Sequence, residues 1–175
     1  MKDLMMDIET LGTDYNSIVV QVAMVYFDRY TKETGKSLVV NIDPISCSKA
    51  GLVMNNDTMD WWAQQPKEIQ ESVLTGGLPL VEALNKIKEF IDYGTIIWCH
   101  ATFDVPVLAT AFKTVGINPP WKYTNVRDLR TIVDLSGIDI KSYKWEEFKT
   151  HNALEDCCFQ IHYAVDCINT LKGNM

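Results

Sequence analysis

The sequence predicts an α/β fold in which a mixed, five-stranded central sheet carries helices on both faces. Two observations lead there. The first 42 residues hold three apolar, β-rich runs joined by polar turns, and from residue 57 onward helical patterns alternate with two further short apolar runs. A sheet that opens with a hairpin and then receives strands through helical crossovers is mixed, and it needs helices on both sides to bury its faces.

The elements follow in order. Leu4 to Ile8 is a short apolar run, read as a buried strand. Ser17 to Phe27 is rich in β-branched and aromatic residues and forms a second strand. The polar stretch Asp28 to Lys36 with Gly35 reads as a hairpin turn, and Ser37 to Ile42 returns as the third strand. Pro44 opens a region expected to be irregular through Asn56. Asp57 or Thr58 is the expected cap of a helix holding Trp61 and Trp62, and Pro66 starts another short helix that Gly76 and Gly77 end. Leu80, Leu84, Ile87 and Ile91 line one face of an amphipathic helix. Thr95 to Cys99 reads as a fourth strand, and Phe103 to Val115 as a helix with Pro106 in its first turn and Gly116 beyond its end. Tyr123 to Val126 is the fifth strand, a helix runs from about Arg127 to Leu135, and the last helix spans Ala153 to Leu171 with Leu154, Cys158, Ile161 and Val165 on one stripe.

Composition bounds the rest. At 175 residues, 47% hydrophobic and 22% charged, the chain is expected to form a single domain over 1–175 with a real core. No apolar run approaches the ~20 residues that span a bilayer, and acids occupy the N-terminus where a secretory signal has its apolar stretch, so a cytoplasmic protein is expected. The five cysteines lack CxxC spacing and read as buried small hydrophobes. The net charge of −7 argues against a nucleic-acid coating protein, because phosphate affinity comes from Lys and Arg. From Lys113 to Lys149, however, seven basic residues face five acids, so that segment is +2 and the remainder −9. Bound cations would let an acidic chain accept a phosphate backbone.

Asp7 and Glu9 sit at the end of the first strand, and the two-residue period puts both on one face. Adjacent like charges make sense around a divalent cation; equally, a fraying strand end would leave both acids hydrated. Asp104 opens a helix directly after an apolar strand, either as an acid favoured by the helix dipole or as part of a site at a strand-to-helix junction. Asp156 follows His151 by five residues at the start of the last helix, where it serves as a cap or as a ligand. Glu155 competes with it, projecting about 100° away on a helix.

Taken together, the order D-x-E, then F-D, then H-x4-D resembles the DEDDh exonucleases of the DnaQ-like, ribonuclease H-like superfamily. The nearest resemblance is to the small phage and prophage enzymes grouped with exonuclease A and the exoribonuclease AS type. It is carried by LMMDIETLG (4–12), DTMDWWAQQ (57–65), WCHATFDVPVL (98–108), VRDLRTIVDL (126–135) and HNALEDC (151–157). The resemblance implies a ribonuclease H-like fold in a bacterial or phage-infected cell. It further implies metal-dependent 3′-5′ hydrolysis of single-stranded ends, DNA rather than RNA by a slight margin, with release of nucleoside 5′-monophosphates. Asp7, Glu9, Asp104 and Asp156 would bind two Mg²⁺ or Mn²⁺ ions, and His151 would act as the base. A homodimer is a further expectation, since several relatives are dimers.

For substrate the resemblance points to Thr10 bonding the 3′ end and Leu11 wedging beside a base; Gly12 there also suits an ordinary turn at positive φ. Phe103 would stack on a base or lie buried beneath Asp104. Of the two tryptophans one belongs in the core, and Trp62 is assigned to the site. Arg127, rather than Arg130, is assigned to phosphate, with a salt bridge to Asp128 or Asp134 as its other reading. His100 departs from the family, which usually carries Asn or Gly four residues before the second-motif Asp. It either touches substrate or packs, and a metal-ligand role is not expected for it.

Overall fold

In the computed structural model, which describes residues 1–143 and 151–173, five strands form one sheet in the order β3-β2-β1-β4-β5. They are β1 (Asp3–Thr10), β2 (Val19–Phe27), β3 (Thr34–Asn41), β4 (Ile96–Cys99) and β5 (Val126–Asp128). The β1–β2–β3 meander is antiparallel, and β4 and β5 join β1 in parallel. This is the mixed sheet expected from the sequence. β1 lies at its centre, hydrogen-bonded on both sides.

Alternation along β1 divides the core into two. Leu4, Met6 and Ile8 point to one face, where they pack with helix α4 (Leu80–Phe90) and helix α5 (Asp104–Thr114) through Leu84, Leu108 and Phe112. Met5 points to the other face, with Trp98, beneath helix α6 (Leu129–Ser136) and helix α7 (Ala153–Gly173). Asp3, Asp7 and Glu9 share that second face. Asp3 is held there by Arg29 and by Nε1 of Trp98 at 2.8 Å. The far end of the face is where the other two acids lie. All four residues of the expected apolar face of α4 are buried.

Several boundaries differ from the sequence expectation: β3 begins at Thr34, inside the expected turn, and three other differences have a local reason. The region after Pro44 contains a helix, α1 (Pro44–Lys49), because Asp43 caps it by accepting the N–H groups of Ile45 and Ser46, and proline suits its first turn. Helix α2 (Asn56–Ala63) is capped by Asn55, not Asp57 or Thr58. Asn55 is itself anchored, its N–H donating to the Leu11 carbonyl at 2.7 Å, and helix α3 (Lys67–Leu74) follows. The fifth strand begins where it was expected to end. Tyr123–Asn125 forms a 3₁₀ turn, and Asp128 closes β5 while capping α6 through Thr131.

Helix α7 is buried on more than one stripe. Cys157, Gln160, Ile161 and Ala164 face the sheet, whereas Leu154 and Cys158 of the expected stripe are only partly covered, because α7 packs on β1, β2 and α6 together. No helix among the described residues is long and apolar enough to cross a membrane. Of the basic segment, Lys144 and Lys149, with Glu146 and Glu147, lie outside the described residues.

Candidate active site

Four carboxylates meet at the C-terminal end of β1. Asp7 and Glu9 come from β1 itself, just before a register shift between Glu9 and Thr10 that ends regular pairing with β2. Asp104 is the first residue of α5, delivered by the turn that leaves β4. Its Oδ2 accepts the His100 N–H at 2.7 Å, and its own N–H donates to the His100 carbonyl at 3.0 Å. Asp156 lies in the first turn of α7, whose free N–H groups at Leu154 and Glu155 are taken by Oδ1 of Asn152. Oδ2 of Asp156 accepts the N–H of His151 at 3.0 Å.

The start of α7 is pinned to the sheet by a side chain. Oε1 of Gln21, on β2 opposite Glu9, accepts the Ala153 N–H at 2.9 Å, and its amide group donates to Asn41. Gln21 is 2% exposed, so this bond forms in the interior and orients the helix that carries Asp156.

Burial raises the proton affinity of all four carboxylates. Burial, followed by the neighbouring Asp104, Glu9 and Asp156 charges, raises the Asp7 carboxyl well above the ordinary range. Burial, followed by the Asp156 and Asp104 charges, pushes Glu9 up to about 8. Burial pushes Asp104 to about 8 and Asp156 to about 6. Ligand atoms of Asp7, Glu9 and Asp156 lie within 4.8 Å of one another, and so do those of Asp7, His100 and Asp104. Glu155 is in neither group. Nε2 of Gln160 donates to Oδ1 of Asp7 at 2.6 Å, while its Oε1 is buried without a hydrogen-bond partner. Crowded oxygen donors of one sign, together with an orphaned buried oxygen beside them, fit hard divalent cations.

His151 faces this cluster across a cavity of about 300 Å³ that Asp7, Glu9, Asp104, Asp156 and Phe103 also line. Its backbone is left-handed, φ 65°, and its ring meets the Trp61 ring edge-on at 4.6 Å. Burial shifts its pKa down, favouring the neutral ring that accepts a proton. His100 lines the same cavity, and burial pushes its pKa down to about 4.

A second cleft of about 490 Å³ adjoins the first, sharing Ile8, Glu9 and Phe103 with it. Thr10, Asn55, Trp61 and Trp62 line it. The substrate residues expected from sequence divide here. Thr10 reaches the cleft with its hydroxyl donating to the Gly12 carbonyl at 2.6 Å, and Phe103 forms the wall between the two cavities.

Other assignments change. Leu11 is 3% exposed in the core and lines neither cavity, because its backbone is held between Ile18 and Asn55. Gly12 is not at positive φ; a Cβ there would lie 2.6 Å from the Ser17 hydroxyl, so close approach is what requires glycine. Both tryptophans line the larger cleft, but they differ in exposure. Trp62 is 2% exposed, with Nε1 donating to the Thr10 carbonyl at 2.9 Å, and Trp61, 37% exposed, is the one beside His151. Arg127 gives its guanidinium to the Thr124 and Val126 carbonyls, away from both cavities, whereas Arg130 lies beside His100.

Sequence reasoning missed Gln160, although it sits one helical turn after Asp156 and therefore on the same side of α7. It also missed Asn55 and Gln21, whose roles come from chain segments brought together only by the fold.

The chain is similar to known nucleases. Residues 2–168 match the family model described as the 3′-5′ exoribonuclease Rv2179c-like domain. An exodeoxyribonuclease of Enterobacteria phage T4 is 20% identical over 197 residues, covering 92% of this chain and 86% of that protein. Among solved structures, E. coli exonuclease I in complex with a dA16 oligonucleotide superposes with a TM-score of 0.71 at 19% identity, over 93% of this chain and 40% of that one. Cell-death related nuclease 4 superposes with a TM-score of 0.67 at 16% identity, over 95% of this chain and 63% of that one. The chain thus spans less than half the length of exonuclease I.

Proposed function

The chain belongs to the 3′-5′ exoribonuclease Rv2179c-like domain family and is a 3′-5′ exonuclease of ribonuclease H-like fold, and from that premise we propose that it trims single strands, DNA ahead of RNA, releasing nucleoside 5′-monophosphates. The observation that carries the reading is the convergence of Asp7, Glu9, Asp104, Asp156 and His151 on one cavity of about 300 Å³. Sites of phosphodiester hydrolysis need clustered negative ligands and a nearby base, and this cavity has both.

Asp7, Glu9, Asp104 and Asp156 would hold two divalent cations, Mg²⁺ or Mn²⁺, whose chemistry is to polarise the scissile phosphate and acidify a water. His151 takes the proton of the attacking water on a ring nitrogen. Water adds at phosphorus, the bond from phosphorus to the 3′ oxygen breaks, and the shortened strand leaves with a 3′-hydroxyl. Trp61 holds the His151 ring edge-on, and Asp156 holds its backbone. Gln160 orients Asp7. Trp61 and Phe103 offer aromatic surface to the terminal bases, and sequence-tolerant stacking of this kind suits a non-specific enzyme.

DNA takes precedence because the T4 relative, matched over most of both chains, is an exodeoxyribonuclease. RNA is the second reading, favoured by the description of the matching family. The test is a pair of matched deoxy- and ribo-oligonucleotides labelled at the 5′ end and incubated with Mn²⁺ or Mg²⁺. A ladder shrinking from the 3′ end, with mononucleotide product, is expected on both, faster on DNA. Chelator and Asp7→Asn should each abolish it. Internal cleavage, or hydrolysis that survives Asp7→Asn, would refute the assignment.

A further inference from the structure

We propose that the imidazole of His100 is itself a metal ligand, completing with Asp7 and Asp104 a mixed nitrogen–oxygen position that takes Mn²⁺ in preference to Mg²⁺. The inference rests on the two-cation reading of the site and deepens it. A ring nitrogen of His100 and carboxylate oxygens of Asp7 and Asp104 lie within 4.8 Å of one another. An ion about 2.0–2.3 Å from each donor places its ligands about 3–4.5 Å apart, so three atoms within 4.8 Å of one another need at most a small closing movement to share one.

The backbone holds them there. The His100 N–H donates to Oδ2 of Asp104, and the Asp104 N–H donates back to the His100 carbonyl, which locks the turn between β4 and α5. A second staple comes from Asp128, whose Oδ1 accepts the Ala101 N–H at 3.0 Å. One oxygen of Asp104 is thus occupied by the amide and the other remains for an ion. Asp7 is arranged alike, with Oδ1 taking the Gln160 amide and Oδ2 remaining.

An independent sign that something polar belongs here is Gln160. Its side chain is 4% exposed, it lines the same cavity, and its Oε1 has no hydrogen-bond partner. A buried carbonyl oxygen left unpaired costs about 1–3 kcal/mol. A metal-bound water beside Asp7 would supply the missing donor.

The donor set decides the ion. Carboxylate and water ligands alone suit Mg²⁺, which keeps an all-oxygen octahedron, whereas imidazole nitrogen favours the transition metals. The Asp7–Glu9–Asp156 group is all oxygen, so the two positions would differ in preference.

The experiment is pulsed EPR on the full-length protein loaded with Mn²⁺, prepared with natural-abundance and with ¹⁵N-labelled histidine. The expected result is a nitrogen coupling that changes with the label, persists in His151→Gln and vanishes in His100→Asn. Titration of the same variants should show a loss of about tenfold or more in Mn²⁺ affinity at one position in His100→Asn, with Mg²⁺ affinity changed much less. If His100→Asn does not fold, a coupling that persists in both His151→Gln and His162→Gln assigns the ligand to His100, the remaining histidine of the three. Mn²⁺ that binds in dependence on Asp7 and Asp104 without histidine coupling, or with a coupling lost in His151→Gln, overturns the role of His100 and leaves the carboxylate site standing. Failure of Mn²⁺ to bind, or binding indifferent to Asp7→Asn and Asp104→Asn, overturns both.

Discussion

One carboxylate oxygen of Asp156 accepts the backbone N–H of His151 at 3.0 Å, so the residue proposed to ligate a cation also sets the position of the base. Replacing either should therefore damage the same function. His151→Gln and Asp156→Ala are each expected to lower kcat by about 10²–10⁴-fold. The double variant should lose little more than the worse single one, because both changes disable one unit. Single-turnover release of mononucleotide from a labelled strand measures all three, and fully multiplicative losses would contradict the shared unit.

Asp104 is 2% exposed and its carboxyl is pushed up to about 8, against an unfolded value near 4. Such an acid ionises first in the unfolded chain. Its effect on stability is absent below pH 4 and grows unfavourable as pH rises toward 8. Metal-free Asp104→Asn should therefore be more stable than the wild type at pH 8, on the order of 2 kcal/mol after relaxation is allowed for, and no more stable at pH 4. Urea melts in chelator at the two pH values test this. Adding Mn²⁺ at pH 8 should reverse the order.

The two tryptophans should separate stability from binding. Trp62→Ala removes a buried ring and its hydrogen bond to the Thr10 carbonyl, so a loss of about 3–5 kcal/mol in stability is expected. Trp61→Ala should cost stability little but weaken single-strand binding, by about 1–3 kcal/mol if one base stacks there. Fluorescence anisotropy with a non-hydrolysable oligonucleotide reads the second effect, and thermal melts the first.

Much of this was legible in the sequence, for reasons the same residues explain. Period-two alternation in β1 was enough to place Asp7 and Glu9 together, and the apolar spacing of α4 was enough to define its buried face. What sequence could not supply were the properties set by the third dimension. Neighbouring tryptophans on a helix have no sequence feature that says which faces the core; Trp62 is chosen by the carbonyl of Thr10, 52 residues away. Arg127 was preferred to Arg130 for phosphate, but its guanidinium is taken by the Thr124 and Val126 carbonyls, bonds that no sequence pattern announces. The cap of α2 was misplaced by two or three residues because Asn55 is fixed from outside, by Leu11.

Gln21 makes a further prediction possible. Gln21→Leu keeps the volume but orphans the Ala153 N–H, so about 1–3 kcal/mol of stability should be lost. Because that bond aims the start of α7, kcat should fall while affinity for a single strand stays nearly constant. A change confined to affinity would show that Gln21 does not position the helix.

The bonds from Gln21 to Ala153 and from Gln160 to Asp7 join residues 132 and 153 positions apart. Closing such large loops is slow and entropically costly compared with forming the hairpin of β1, β2 and β3. During synthesis the hairpin emerges long before the helix that completes the pocket. A nascent chain thus holds Asp7 and Glu9 without Asp156 and Gln160 until the helix that carries those two has emerged and docked on β1 and β2.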